Sequence, residues 1–228
     1  MPSTDAATGK KGSLAQSELS AKLTEGLSCV SVREHYDLLI EEGNDPVLDP
    51  PELAAYMDGW DGEALYEELE LTDVCRVLEI GVGTGRLALR TLARGCLSFT
   101  GMDLSEKTLE AAREHLSAFR NVTLTAGEFP KDAPEGPFDR IYSSLTFLHI
   151  EDKESAIRAA AALLAPGGRM VLSLDRERSG VLDMGSRCVK VYPDDPERIC
   201  ALLRRAGLSV RPVRGIERAW LITAEREM

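Results

Sequence analysis

The most constraining feature of this sequence is a run of three glycines at every second position. It follows an apolar stretch, residues 77–80, which is typical of a buried strand. It precedes residues 86–94, whose leucines and alanines suit a helix packed on a sheet. Glycine permits positive φ and a close approach of the backbone to a ligand. Strand, glycine turn and helix together predict the opening of a nucleotide-binding α/β unit.

The glycine spacing distinguishes between possible ligands of this turn. A dinucleotide fingerprint reads G-x-G-x-x-G, and the position of its third glycine is here Arg86. Glu79 stands two residues before the first glycine, where a carboxylate repels a pyrophosphate and attracts a ligand ammonium. The string E-x-G-x-G-x-G resembles the first motif of class I S-adenosylmethionine-dependent methyltransferases. The resemblance implies cofactor contacts from the following residues of the turn: Glu79, Gly81, Gly83, Thr84 and Gly85.

Strand and helix patterns alternate along the rest of the chain. We predict seven strands, at residues 74–80, 97–102, 122–125, 138–143, 169–174, 208–213 and 219–224. Helical apolar spacing separates most of them, which predicts a Rossmann-like, doubly wound α/β fold. Its sheet would be mostly parallel, with helices on both faces. Ligands of such sheets bind beyond the carboxyl ends of the strands.

The chain ahead of the first strand predicts an extension and a cover. Residues 1–30 read as a polar start followed by a short amphipathic helix from Ser13, and residues 31–228 as one methyltransferase domain. Within that domain, residues 31–72 would form an N-terminal helical cover and residues 73–228 the α/β core. Asp49 is expected to cap a cover helix with Pro50 at its first position. The acids between positions 58 and 70 are interpreted as a solvated face.

Composition excludes several classes of protein. A formal net charge of −11 argues against a surface that tracks nucleic-acid phosphates. The five cysteines are odd in number and contain no C-x-x-C pair, so we expect small buried thiols rather than disulfides or a metal site. No apolar run is long enough to span a membrane, and the N-terminus lacks the apolar core of a signal peptide. These features predict a cytoplasmic location.

Two acids extend the predicted cofactor site beyond the glycine turn. Asp103 ends the second strand, where a carboxylate can accept hydrogen bonds from both ribose hydroxyls, with an N-cap as the alternative role. Glu128 and Phe129 stand where the family commonly carries Gly-Asp and an apolar residue at the adenine. Glu replaces Asp here, so a surface loop acid remains an alternative. The resemblance also assigns Leu104 to the cofactor.

The fourth predicted strand resembles the family motif that ends beside the transferring methyl group. Ser143, Ser144 and Leu145 would contact the methionine part of S-adenosylmethionine. A later Ala-Pro-Gly-Gly run, residues 165–168, also matches the family and ends a helix. The resemblance spans residues 74–175 and implies methyl transfer by in-line displacement. It leaves the methyl acceptor and the nucleophilic atom open.

Two residues are candidates for catalysis on the acceptor side. His149 follows the fourth strand by six residues and titrates near neutrality, so it is a candidate general base, with helix packing as the alternative. Tyr36 lies in the predicted cover and is the second candidate. His35 and His115 are expected at the surface.

Missing motifs narrow the acceptor to a small molecule. The fourth strand does not end in Asn/Asp-Pro-Pro-Tyr, and neither a Pro-Cys nucleophile nor a paired-Glu loop is present. Three alternatives stay open: a protein that binds the cofactor without turnover, a nucleic-acid methyltransferase, and an NAD(P)-dependent oxidoreductase. The sequence predicts no metal, and it does not indicate the oligomeric state.

Overall fold

A computed structural model describes residues 29–176 and 179–228 of the chain. The predicted extension up to residue 28, with its helix from Ser13, lies outside the described residues. The helices are α1 Val32–Glu41, α2 Pro51–Met57, α3 Gly62–Leu69, α4 Arg86–Arg94, α5 Glu106–His115, α6 Lys153–Leu163 and α7 Pro196–Arg205. The strands are β1 Cys29–Val30, β2 Arg76–Ile80, β3 Ser98–Asp103, β4 Val122–Ala126, β5 Phe138–Ser144, β6 Leu164–Asp175, β7 Val181–Asp183, β8 Cys188–Lys190, β9 Leu208–Val210, β10 Arg214–Gly215 and β11 Ala219–Arg226.

The central sheet contains every one of the seven predicted strands. Its order is β4-β3-β2-β5-β6-β11, with β9 and the short β10 following one another along the outer edge of β11. The strands from β4 to β6 pair in parallel, and β11 pairs antiparallel with β6. The mostly parallel Rossmann-like sheet expected from the sequence is therefore confirmed. Strand order reverses at β2, so the glycine turn lies at a topological switch point, where such sheets bind ligands.

Side chains of β2 alternate between two apolar cores, one on each face of the sheet. Leu78 and Ile80 pack in the core beneath α6 and α7. Val77 packs in the other core, beneath α3, α4 and α5. Alternation of this kind follows from the two-residue period of a strand. Helices therefore cover both faces of the sheet, as predicted.

Five of the seven described α-helices begin with a side-chain cap, whereas α2 and α4 do not. Ser105 accepts a hydrogen bond from the backbone N–H of Thr108 and begins α5. The expected cap at Asp49 is wrong, because α2 begins at Pro51 with Pro50 in the cap position and no side-chain cap. A tandem of prolines suits this start, since neither residue has an N–H that would need a partner.

The segments ahead of β2 divide between the carboxyl edge of the sheet and its core. Helix α1 lies against α5, and Ser105 donates a 2.6 Å hydrogen bond to Asp37 on α1. Helix α3 buries Leu65 and Leu69 in the core instead, so it packs on the sheet. The division into cover and core at residue 72 stays a prediction.

The expectation of five unpaired cysteines is wrong for two of them. Cys29 on β1 and Cys188 on β8 form a disulfide, and β1 pairs in parallel with β8. They lie 159 residues apart in sequence, and only the fold brings them together. Cys75 and Cys200 are free and buried, as expected, and Cys96 is free and partly exposed. Within the described residues, no helix is long and apolar enough to cross a membrane.

Candidate active site

The glycine turn leaves β2 through three left-handed residues and opens at its centre. Gly81, Gly83 and Gly85 have φ of 81°, 57° and 98°, a region that L-residues with a side chain seldom adopt. A Cβ at Gly83 would meet nothing within 4 Å, whereas one at Gly81 would collide with the Thr146 side chain. The buried Thr84 Oγ1 has no hydrogen-bond partner among the described residues. The turn therefore offers open space beside an unpartnered hydroxyl.

Asp103 faces this turn from the end of β3. Its Oδ2 accepts a 2.9 Å hydrogen bond from Gly83 N, and its Oδ1 accepts a 3.0 Å bond from Ser105 N. Burial raises the pKa of this carboxyl, while the backbone donors and the charge of Arg33 act in the opposite direction. A carboxylate has about four lone-pair sites, so the bonds from Gly83 and Ser105 do not exhaust its capacity to accept.

The loop after β4 lies next to Asp103, since Gly127 N donates to the Asp103 carbonyl. Phe129 is buried and Glu128 is exposed. Glu128 donates its backbone N–H to the Asp132 carboxylate, and its carbonyl accepts a hydrogen bond from Asp132 N. Leu104, also predicted to contact the cofactor, lies between Asp103 and the cap of α5 and is partly exposed.

The end of β5 is fixed to its neighbours by side-chain hydroxyls. Ser143 donates to the Ile80 carbonyl at 2.8 Å and Ser144 donates to Asp61 Oδ2 at 2.9 Å. Leu145 follows with φ of 54°, a left-handed conformation that costs a non-glycine residue on the order of 1 kcal/mol. Such strain in a residue that immediately follows β5, next to the glycine turn, is typical of a functional site.

Glu79 points to the interior rather than to the open part of the turn. It is 2% exposed, and its Oε2 accepts a 2.7 Å hydrogen bond from Tyr142 Oη, which also bonds Thr91. Burial raises the pKa of Glu79 well above its usual range, although Tyr142 and the charge of Arg86 act against this. The predicted contact of Glu79 with a ligand ammonium stays a prediction, and its protein partner is a tyrosine.

Tyr36 and His149, the two candidates for catalysis, are in direct contact. Tyr36 Oη lies 2.9 Å from His149 Nε2, and the two rings meet edge to face at 5.5 Å. Burial, together with the charges of His35 and Lys153, lowers the pKa of His149 to about 4. Burial raises the pKa of Tyr36, and the charge of Asp103 adds to the effect. The pair is therefore neutral at pH 7 and lies within electrostatic reach of Asp103.

The other two histidines are not at the surface, contrary to the sequence prediction. His35 is 1% exposed, and its Nδ1 accepts a hydrogen bond from Arg187 Nε at 3.3 Å. His115 Nδ1 lies 2.8 Å from the carbonyl of Thr84, and its Nε2 lies 3.2 Å from Asp45. His115 thus joins the glycine turn to the loop after α1. Each contact joins residues at least 31 positions apart in sequence.

Asp61, one of the acids that the sequence predicts on a solvated face, is instead buried next to the glycine turn. Its side chain is fully buried and accepts hydrogen bonds from Arg86, at 3.1 and 2.6 Å, and from Ser144. Arg86, which replaces the third dinucleotide glycine, thereby anchors the start of α4 to the cap of α3. The signal in the sequence was Gly62 directly after an acid, because Asp61 also caps α3 through Gly62 N.

Comparison with known proteins identifies the domain. A family profile described as a methyltransferase domain matches residues 78–170. Ubiquinone biosynthesis O-methyltransferase from Bordetella avium (strain 197N) is 33% identical over 158 residues, which cover 62% of this chain and 65% of that protein. The chain spans between 40% and 65% of the length of curated relatives such as this one.

Solved structures share the fold over most of the chain. N-methyltransferase NodS from Bradyrhizobium japonicum WM9, in complex with S-adenosyl-L-homocysteine, is 20% identical with a TM-score of 0.64 and covers 85% of this chain and 98% of that one. The [4+2]-cyclase SpnF is 17% identical with a TM-score of 0.68 and covers 90% of this chain and 100% of that one. At these identities the likeness shows the fold alone.

Proposed function

Because residues 78–170 form a domain of the class I S-adenosylmethionine-dependent methyltransferases, we propose that this chain transfers a methyl group from S-adenosylmethionine to a small-molecule acceptor. One observation carries the proposal. The Tyr36–His149 pair lies within reach of the charge of Asp103. The Tyr36–His149 pair, which can transfer a proton, and the Asp103 carboxylate, which suits a ribose, thus lie at the same edge of the sheet.

The residues at this edge fit the proposed cofactor. Asp103 would accept hydrogen bonds from the ribose hydroxyls, and the open space at Gly83 admits a ligand against the backbone. The unpartnered hydroxyl of Thr84 is polar and buried at the same turn. The remaining predicted contacts are Glu79, Gly81 and Gly85 at the turn, Leu104 beside Asp103, Glu128 and Phe129 at the adenine, and Ser143, Ser144 and Leu145 at the methionine part.

In the proposed mechanism the cofactor supplies the methyl group and the chain positions the acceptor. When bound, S-adenosylmethionine supplies a methyl group activated by a sulfonium. The chain holds the acceptor in line with that methyl group, and such positioning supplies much of the acceleration. The hydroxyls of Ser143 and Ser144 are already committed to Ile80 and Asp61, which keeps the end of β5 in a fixed position.

His149 is proposed as the general base for an acceptor that carries an acidic proton. Its imidazole is neutral, so one ring nitrogen accepts a proton and the other donates one. If Tyr36 donates to Nε2, a proton from the acceptor reaches His149 through the Tyr36 hydroxyl. If Nε2–H donates to Tyr36, the buried Nδ1, which has no partner among the described atoms, is the accepting nitrogen.

The low pKa of His149 predicts the pH dependence of the reaction. The base acts in its deprotonated form, so the rate falls as pH drops through its pKa of about 4. An exposed histidine titrates between about pH 5.5 and 8. Over this range we expect no change in kcat/KM from the titration of His149. A rate profile measured over pH 4–9 checks this. A limb near pH 6.5 that disappears in His149→Gln would contradict it.

Small acceptors are proposed rather than nucleic acids because the net charge is −11 and the amino-methyltransferase motif of nucleic-acid enzymes is absent. The O-methyltransferase relative supports acceptors with a hydroxyl group as the first to try. A cytoplasmic location is part of the same proposal.

The test combines cofactor titration with turnover. Calorimetry with S-adenosylmethionine, S-adenosylhomocysteine and NADH would identify the cofactor. Release of S-adenosylhomocysteine would then be followed with a panel of phenols, hydroxy acids and amines. We expect micromolar binding of the first two ligands, and turnover that drops about 10²-fold in His149→Ala with unchanged cofactor affinity. Tyr36→Phe should lose as much turnover as His149→Ala only if the proton passes through the Tyr36 hydroxyl.

Two outcomes would overturn the proposal. Binding of NADH alone would favour an oxidoreductase. Uptake of S-adenosylmethionine without S-adenosylhomocysteine formation from any acceptor would favour a protein that binds the cofactor without methyl transfer.

A further inference from the structure

We propose that a buried ion pair between Lys153 and Asp194 positions His149 for proton transfer. This inference rests on the proposed function, since it assigns the pair a role toward the proposed base. Lys153 Nζ lies 2.8 Å from Asp194 Oδ1, and the two side chains are 5% and 2% exposed. Lys153 Nζ also donates a hydrogen bond to the carbonyl of Phe147.

The pair holds the short segment that carries His149. Phe147–His149 is a single 3-10 turn, in which His149 N donates to the Thr146 carbonyl at 2.9 Å. The ammonium of Lys153 binds the first residue of this turn through its carbonyl. The segment before Asp194 binds the same turn, because Tyr192 N donates to the Leu148 carbonyl at 2.7 Å.

A contribution to stability does not by itself explain why Lys153 lies at this position. It is the first residue of α6, where the helix dipole disfavours a positive charge. Burying two charges carries a desolvation cost, so a buried pair is weak evidence of stabilisation. Residues that break two local rules at once concentrate at functional sites. The contact with the turn of His149 provides a function for this pair.

Charges from several elements act on the imidazole. His35 on α1 and Lys153 on α6 both lower the pKa of His149, and Tyr36 bonds it directly. Arg187 faces His35. Behind the pair, Arg198 faces Lys153 and Asp175 faces Asp194. Lys153 is thus the member of the pair whose charge acts on His149.

Two variants distinguish the effect of the Lys153 charge from that of its hydrogen bond to the turn that carries His149. Lys153→Gln removes the charge and keeps an N–H donor for Phe147 and Asp194. The double variant Lys153→Met with Asp194→Leu replaces the pair by apolar side chains and removes that donor. Glu154→Gln is the matched control, because Glu154 is the next residue of α6 and forms an exposed ion pair with Arg205.

The first readout is NMR titration of the three histidine rings, which needs no methyl acceptor. We expect the pKa of His149, about 4 in the unaltered protein, to rise in both variants because the charge of Lys153 is removed, and to stay below 6.5 because burial is the largest cause of its lowering. We also expect kcat to fall by about 10²-fold in the double variant and less in Lys153→Gln, with unchanged KM for S-adenosylmethionine. Glu154→Gln should change neither quantity.

A merely structural role predicts a different pattern. Unchanged titration of His149 in a folded Lys153→Gln variant, with only a lower thermal midpoint, would overturn the proposal. If the double variant does not fold, the titration of His149 in Lys153→Gln alone tests the proposal. A chain that binds the cofactor but methylates nothing would overturn the proposed function, while the titrations still test the positioning of His149.

Discussion

At the scale of single residues, the candidate site combines open space with committed polar groups. Gly83 faces empty space, whereas Asp103 is already bonded to the turn and to the cap of α5. Tyr36 bonds Nε2 of His149, whereas the buried Nδ1 has no partner among the described atoms.

Replacing Asp103 by alanine should weaken binding of S-adenosylmethionine. Removing two charge-assisted hydrogen bonds to a ribose costs roughly 2–4 kcal/mol of binding free energy. Isothermal titration calorimetry measures the change. Asp73→Ala is the control, since this exposed acid lies ahead of β2 at the opposite edge of the sheet. Equal affinity of both variants would refute the ribose assignment.

Replacing Gly83 by leucine should block the site. The side chain would fill the space that faces the turn, and its positive φ adds strain of about 1–2 kcal/mol. Gly95→Leu is a matched control, because Gly95 also has positive φ and open space but ends α4. We expect destabilisation in both, larger in Gly95→Leu because its φ of 93° and ψ of 134° lie outside the left-handed region, and loss of cofactor binding only in Gly83→Leu. Normal binding by Gly83→Leu would show that the turn does not face the ligand.

At the scale of elements, the helices ahead of β2 are held to the glycine turn by a few long-range polar contacts. Asp61, which caps α3, is bound to Arg86 of α4 and to Ser144 of β5. His115 of α5 joins the turn to the loop that holds Asp45. The turn is therefore supported on both sides, which preorganises the site.

Substituting alanine for Asp61 should destabilise the whole domain. It leaves the largely buried guanidinium of Arg86 with Asp58 alone and removes the acceptor of Ser144, which costs about 3 kcal/mol of unfolding free energy. Urea denaturation measures this value. Glu63→Ala, which removes an exposed ion pair with Arg94 in the same region, should leave the midpoint unchanged. Equal midpoints for the two variants would show that the Asp61 contacts contribute little.

At the scale of the whole molecule, one covalent link ties the start of the described chain to the β7–β8 hairpin. The Cys29–Cys188 disulfide spans 159 residues, and Arg187 beside it pairs with Glu42 after α1. Disulfides persist in oxidising compartments and are rare in the cytosol. The state of this bond in cells therefore bears directly on the predicted cytoplasmic location.

Removing the disulfide should destabilise the protein only under oxidising conditions. A cross-link over so long a loop restricts the unfolded chain, and the chain-entropy estimate approaches about 5 kcal/mol. Cys29→Ser should therefore lower the urea midpoint without reductant and match the unaltered protein with reductant. Cys96→Ser, at a free thiol, is the control. Identical unfolding of Cys29→Ser and the unaltered protein without reductant would show that the bond does not form.

The sequence by itself determined the α/β fold, all seven predicted strands and the glycine turn, because periodicity, capping and turn chemistry act between residues close in the chain. It also selected Tyr36 and His149 separately, but only the tertiary structure brought them to 2.9 Å across 113 positions. The burial of His35, the bridge of His115, the anchoring role of Asp61 and the Cys29–Cys188 bond likewise depend on distant segments. Such contacts follow from how helices pack on a sheet, which no local pattern of residues specifies.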